Sequence, residues 1–144
     1  MQTASIVTPL PLRTDPLPVR GNYAVILASG AEDGGKRATL ALAAACTTQA
    51  MDLDTIVFMV GDGVHWGYEG HAENIHTPGF PALAELMASF FESGGEVFLC
   101  SACDAVCALP VDADGKALKR RRGVRLEGLA SVLFHTVRGG SVTF

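Results

Sequence analysis

A chain of 144 residues with 49% hydrophobic and 18% charged side chains is sized for one domain, with enough apolar material for a core that needs no cross-links. Its net charge of −4 lacks the basic footprint of a general nucleic-acid binder, and no apolar run reaches the length of a membrane span. The apolar surplus predicts a homo-oligomer, because monomers seldom expose large apolar patches.

Residues 1–21 hold four of the seven prolines and show no amphipathic period, so they read as an extended arm before a single domain over 22–144. The arm contains no apolar stretch of signal-peptide length, which predicts a cytoplasmic protein whose thiols stay reduced. The run YAVILAS then reads as a strand covered on both faces. It breaks at SGAEDGGK, where Asp33 is expected to cap an Ala-rich helix over Ala38–Ala50. DTIVFMVGDG repeats the pattern of strand followed by glycine. In Pro81–Ser93 the apolar residues Leu83, Leu86, Met87 and Phe90 recur at helical spacing, and Gly94-Gly95 marks the stop. EVFLC is the third strand. A polar, basic connection follows, DADGKALKRRRG, in which one helical turn is expected. VRL reads as a short strand, and Leu129, Val132, Leu133 and Val137 predict a last helix stopped by Gly139-Gly140. SVTF closes the chain as a strand.

Strands alternating with helices imply right-handed crossovers and a mainly parallel sheet in an α/β, three-layer arrangement. Ligands of such sheets bind beyond the carboxyl ends of the strands. Those ends are SGAEDGGK, GDGVHWGYEGH and CSACDAVC, which places Ser29, Gly30, Gly61, Asp62 and His65 around the same edge as the cysteines.

Three of the four cysteines fall within CSACDAVC. Ser101 and Asp104 match the S-x-x-D capping pattern, so a helix is expected to start at Ser101. Cys100 then leaves a strand end and faces the first-turn N–H groups, an environment that favours a thiolate and makes it the candidate nucleophile. Cys103 is the expected resolving thiol, closing a disulfide with Cys100, and Cys107 lies one turn further along the same face. Cys46, inside the Ala-rich helix, reads as a packing residue. Two other readings fit C-x-x-C. With Cys107 and one of His65, His71 or His76 it supplies a tetrahedral zinc set, although the irregular histidine spacing and the lack of a second C-x-x-C speak against it. A redox dithiol is the other. No metal or cofactor is expected. The histidine-bearing loop reads as a lid or an interface, and the KRRR run, Lys119 to Arg122, as a solvated loop or a guide for an acidic partner.

The order YAVILASG, VFMVGDGV, GGEVFLCSAC, LEGLASVL and SVTF resembles the DsrE/DsrF-like sulfur-relay family, which includes TusD-type and YchN-type proteins. The resemblance covers residues 22–144. It implies a five-stranded YchN-like α/β fold, assembly as trimers or hexamers, and a persulfide on the cysteine after the third strand, here Cys100. It also implies sulfur donor and acceptor proteins as partners. The proline-rich arm, Cys107 and the length of the histidine loop are additions to the family pattern. The competing reading is a non-catalytic oligomeric module whose loops bind a small ligand or a partner.

Overall fold

Side chains of a strand face alternate sides, and here each side meets its own apolar layer. In β1 (Asn22–Leu27), β2 (Asp54–Met59) and β3 (Glu96–Cys100), the residues Val25, Leu27, Val57, Met59, Val97 and Leu99 join one buried cluster with α1 (Lys36–Ala50) and α2 (Leu83–Glu92). Ala24, Ile56, Phe58, Phe98 and Cys100 join a second cluster, closed by Val132 of α4 (Leu129–Thr136). The computed structural model describes residues 21–107, 111–137 and 139–144. The proline-rich arm expected over 1–21 lies, apart from Gly21, outside the described residues.

β4 (Val124–Glu127) and β5 (Gly139–Thr143) complete a sheet of order β4-β3-β2-β1-β5 in which every pairing is parallel. Steps from β1 through β4 run one way across the sheet, and the last crossover returns to the far edge. Right-handed crossovers then put α1 and α2 on one face and α4 on the other, as the two clusters show. The predicted α/β, three-layer, five-stranded fold stands, with a wholly parallel sheet among the described residues.

Local chemistry explains most element ends, and three expectations need correction. Asp33 does cap α1, but from outside it: its carboxylate accepts the N–H groups of Gly35 and Arg37 at 3.0 and 2.9 Å, while Gly35 itself holds the N-cap position with φ +84. The helix starts at Lys36 rather than Ala38. α2 ends as predicted: Gly94 takes φ +89, and Gly95 N–H reaches back to the Phe90 carbonyl at 2.9 Å, the bond of a Schellman cap. The basic connection contains no helical turn among its described residues; it forms isolated antiparallel bridges, Val111 with Ala117 and Tyr68 with Arg120. Gly139-Gly140 do not merely stop α4 but start β5, where a Cβ on Gly139 would run into the Asn22 carbonyl.

Candidate functional site at the carboxyl edge of the sheet

β3 passes directly into α3 (Ser101–Val106), and this junction sets the cysteine geometry. Cys100 is the last strand residue, paired with Glu127 of β4, and also the N-cap of α3. Its Sγ accepts the Cys103 N–H at 3.4 Å. The expected Ser101–Asp104 capping box is therefore not formed. With sheet pairing held through Cys100, Ser101 is already helical and exposed, and the strand's own thiol takes the cap role. Asp104 instead accepts the Tyr68 hydroxyl at 2.6 Å.

Burial revises the expected exposure of the thiols. Cys100 is only 3% exposed, whereas Cys103 and Cys107 are half-buried. All four cysteines are free. Cys107 donates its S–H to the Gly61 carbonyl at 3.7 Å. Cys103 touches both apolar clusters. Hydrogen bonding to the Gly61 backbone is the largest influence on the Cys103 thiol and draws its pKa down. The Cys100 sulfur, burial and the charges of Cys100 and Cys107 act the other way, and together they raise it. α3 has six residues, too few to build much of a macrodipole, so the N–H contact rather than a helix field is the local polar feature. Cys46 stands apart on α1, where its S–H donates to the Leu86 carbonyl at 3.4 Å and burial pushes its pKa up.

The loops after β1 and β2 close over this edge. A Cβ on Gly30 would sit 3.1 Å from Asp62 Cβ, so the two loops touch there. Ser29 is buried, and its carbonyl accepts the Trp66 indole N–H at 2.9 Å. Gly61 takes φ +56, a left-handed conformation that opens the 3-10 segment Gly61–Gly67. Asp62 points to solvent. His65 stacks on His71 with ring centroids 6.0 Å apart, and the buried Nε2 atoms of both find no hydrogen-bond partner among the described residues. Burial and then the neighbouring His65 lower the His71 pKa. Among the described residues no group of three or more His, Cys, Asp and Glu side chains is placed to hold a metal ion.

Sequence reasoning missed Tyr68, which ties the β2 loop to the cysteine helix. Burial and the bond to Asp104 push its hydroxyl pKa up to about 12, against a smaller opposing effect of Arg120. It also missed that the basic run is anchored. Glu69 N–H donates to Lys119 O at 2.7 Å, Arg121 N–H to Gly67 O at 2.8 Å, and the Arg121 guanidinium binds Glu73. Burial alone would raise the Glu73 pKa, but the bound Arg121 together with backbone hydrogen bonds outweighs it and holds the carboxyl low. Lys119, Arg120 and Arg122 remain exposed; Arg120 pairs with Tyr68 beside the site, while Arg122 lies against Phe91 at the end of α2. An alternating Tyr-Glu opposite Lys-Arg was the available signal, but pairing across 50 residues is not visible in a local pattern. The larger surface depressions, lined by Asn22, Phe134, His135 and Val137 and by Asn22, Gln49 and Asp54, lie at the opposite, amino edge of the sheet.

Residues 22–131 match the DsrE/DsrF-like family. No curated protein matches the sequence. Among solved structures the chain is similar to the crystal structure of the ychN protein from E. coli, with a TM-score of 0.58 and 23% identity over 85% of this chain and 99% of that one. At this identity the likeness bears on the fold.

Proposed function

The chain belongs to the DsrE/DsrF-like family, a family of sulfur-relay type, and on that premise we propose that it carries sulfane sulfur as a persulfide on Cys100 and passes it to a partner thiol. The observation that supports this most is the gathering of Cys100, Cys103 and Cys107 at the carboxyl end of β3, where the Cys100 sulfur accepts the Cys103 N–H and Cys107 reaches the Gly61 carbonyl. Parallel sheets place their reacting groups at this edge.

The exposure of the thiols supports one order of events. A donor persulfide reaches half-buried Cys103 first: the Cys103 thiolate attacks the outer sulfur, the new S–S bond forms, and the donor thiolate leaves. Cys100 then attacks that outer sulfur and Cys103 leaves as thiolate, so the sulfur moves inward without net oxidation. Delivery reverses both steps onto an acceptor thiol. Burial of Cys100 keeps the stored sulfur from water and stray thiols. No cofactor takes part, and the chemistry requires a reducing compartment such as the cytoplasm. Exposed Arg120 beside the site, with Lys119 next to it, suits acidic surfaces on donor and acceptor proteins.

Mass spectrometry after brief polysulfide treatment and removal of excess reagent tests this reading. One retained sulfur on Cys100 is expected, lost in Cys100→Ser, with slower loading in Cys103→Ser. Equal retention in Cys100→Ser and wild type would overturn the assignment. A second reading is favoured by one observation, the apolar side chains that α4 leaves exposed. On that reading the chain is a non-catalytic oligomeric binding module, and no cysteine would hold sulfur through the wash.

A further inference from the structure

The relay described above gives Cys107 no task, although it belongs to the same cluster. Its S–H donates to the Gly61 carbonyl, and it and Cys103 are both half-buried against the same apolar cluster. Cys107 N–H also donates to the Cys103 carbonyl at 2.8 Å, which keeps the two residues one turn apart. Cys100 is a poorer mate for Cys103. Its sulfur is buried and already accepts the Cys103 N–H, and its backbone is fixed by pairing with Glu127.

Residues one helical turn apart hold their Cβ atoms about 5–6 Å apart, whereas a disulfide needs about 3.8 Å. Cys107 is the first residue after α3, so it closes that gap by releasing its N–H from the Cys103 carbonyl. Its approach opens the final bond of α3 and leaves the earlier ones in place.

We propose that Cys107 is the resolving thiol of the site, closing a disulfide with Cys103 and so shutting the route to Cys100. The inference rests on the sulfur-carrier reading for its trigger. When Cys103 holds sulfur and no acceptor arrives, the Cys107 thiolate attacks the inner sulfur of the Cys103 persulfide. The Cys103–Cys107 bond forms, the bond to the outer sulfur breaks, and that sulfur leaves as hydrosulfide, which takes up the proton given by Cys107. The persulfide is the oxidant, so no further reagent is needed. Sulfur already on Cys100 is left sealed behind an oxidised entry until a reductant reopens it.

The test maps disulfides in the full-length protein after polysulfide treatment without acceptor, and separately after diamide, a two-electron thiol oxidant. Cleavage before Asp104 leaves Cys100 and Cys103 on one peptide and Cys107 on the next. A disulfide joining these peptides, assigned by fragmentation to Cys103 and Cys107, is the expected result in both arms. Sulfide release should fall severalfold in Cys107→Ser and in Cys107→Ala, with a longer-lived persulfide. A disulfide between Cys100 and Cys103, a link through Cys100 to Cys107, or wild-type sulfide release in both variants would overturn the proposal. If polysulfide loads no cysteine, the sulfur-carrier reading fails, while the diamide map of the wild-type protein still decides the pairing.

Discussion

Tyr68 controls how firmly the cysteine helix is held. None of the six residues of α3 is buried, so its position depends on a few polar contacts, of which the Tyr68–Asp104 bond at 2.6 Å is the shortest. Tyr68→Phe removes a bond to a charged acceptor, worth about 1.5–3 kcal/mol. The expected outcome is faster alkylation of Cys100, read by peptide mapping after timed iodoacetamide pulses. An unchanged Cys100 rate would show that α3 is held by other means. In the wild-type protein half-buried Cys103 should be alkylated before buried Cys100, and Cys46 more slowly than Cys103 because its S–H is tied to the Leu86 carbonyl. The same hydroxyl gives a signature at high pH. The fold keeps the Tyr68 proton more tightly than the unfolded chain does. Its contribution to stability is therefore complete below the ordinary value of 10.0 and is lost as pH rises through about 12. Phenolate absorbance should show a late-ionising tyrosine that disappears in Tyr68→Phe.

Among the elements, the 3-10 segment Gly61–Gly67 is the one that joins strand ends to the site. Gly63 packs so closely on β1 that an added Cβ would run into the Leu27 carbonyl, and backbone on both sides leaves little room to yield. Gly63→Ala should therefore cost about 1–3 kcal/mol or more by overpacking, seen as a lower urea midpoint with an unchanged slope. The loop that follows is pH-sensitive through His71. Burial and His65 disfavour its charged form, Arg121 adds to this, and Glu73 opposes it. The unfolded chain then takes up the proton first. The stabilisation is complete above 6.5, the ordinary histidine value, and declines as pH falls through the depressed value in the fold. The slope of stability against pH in this range should flatten in His71→Gln; an identical slope would place the acid sensitivity elsewhere.

For the whole molecule, the decisive surface is α4. Its apolar period reads as a buried face, yet only Val132 is buried, while Leu129, Leu133, Phe134 and Val137 stand 58–83% exposed. A stripe of this kind on an otherwise well-packed α/β domain suits a contact surface. The expectation of a homo-oligomer, a trimer or a hexamer built from trimers, is retained as a proposal with α4 at its contacts. Light scattering at micromolar concentration should show the assembly, and Phe134→Asp should reduce it to folded monomers with unchanged circular dichroism. A wild-type monomer would remove the support that assembly lends to the binding-module reading.

The sequence alone determined the fold class, because short apolar runs such as YAVIL and VFLC alternate with helical segments, the pattern of parallel strands covered on both faces. Once the strands are parallel, the candidate edge follows, since the chain leaves each strand toward the same side. The helix face Leu83, Leu86, Met87 and Phe90 was legible for the same reason: all four are buried where a local period puts them. Tertiary structure decided what depends on distant partners. Pairing of Cys100 with Glu127 made the thiol, rather than Ser101, the helix cap. Tyr68, brought from 36 residues away, claimed the Asp104 carboxylate that the capping pattern had reserved for the backbone. Cys107 met Gly61 because β2 and β3 end side by side, a neighbourhood that no local spacing encodes. Local periodicity reports which face of a segment is apolar, and only the assembled sheet decides what that face and the loops beside it will touch.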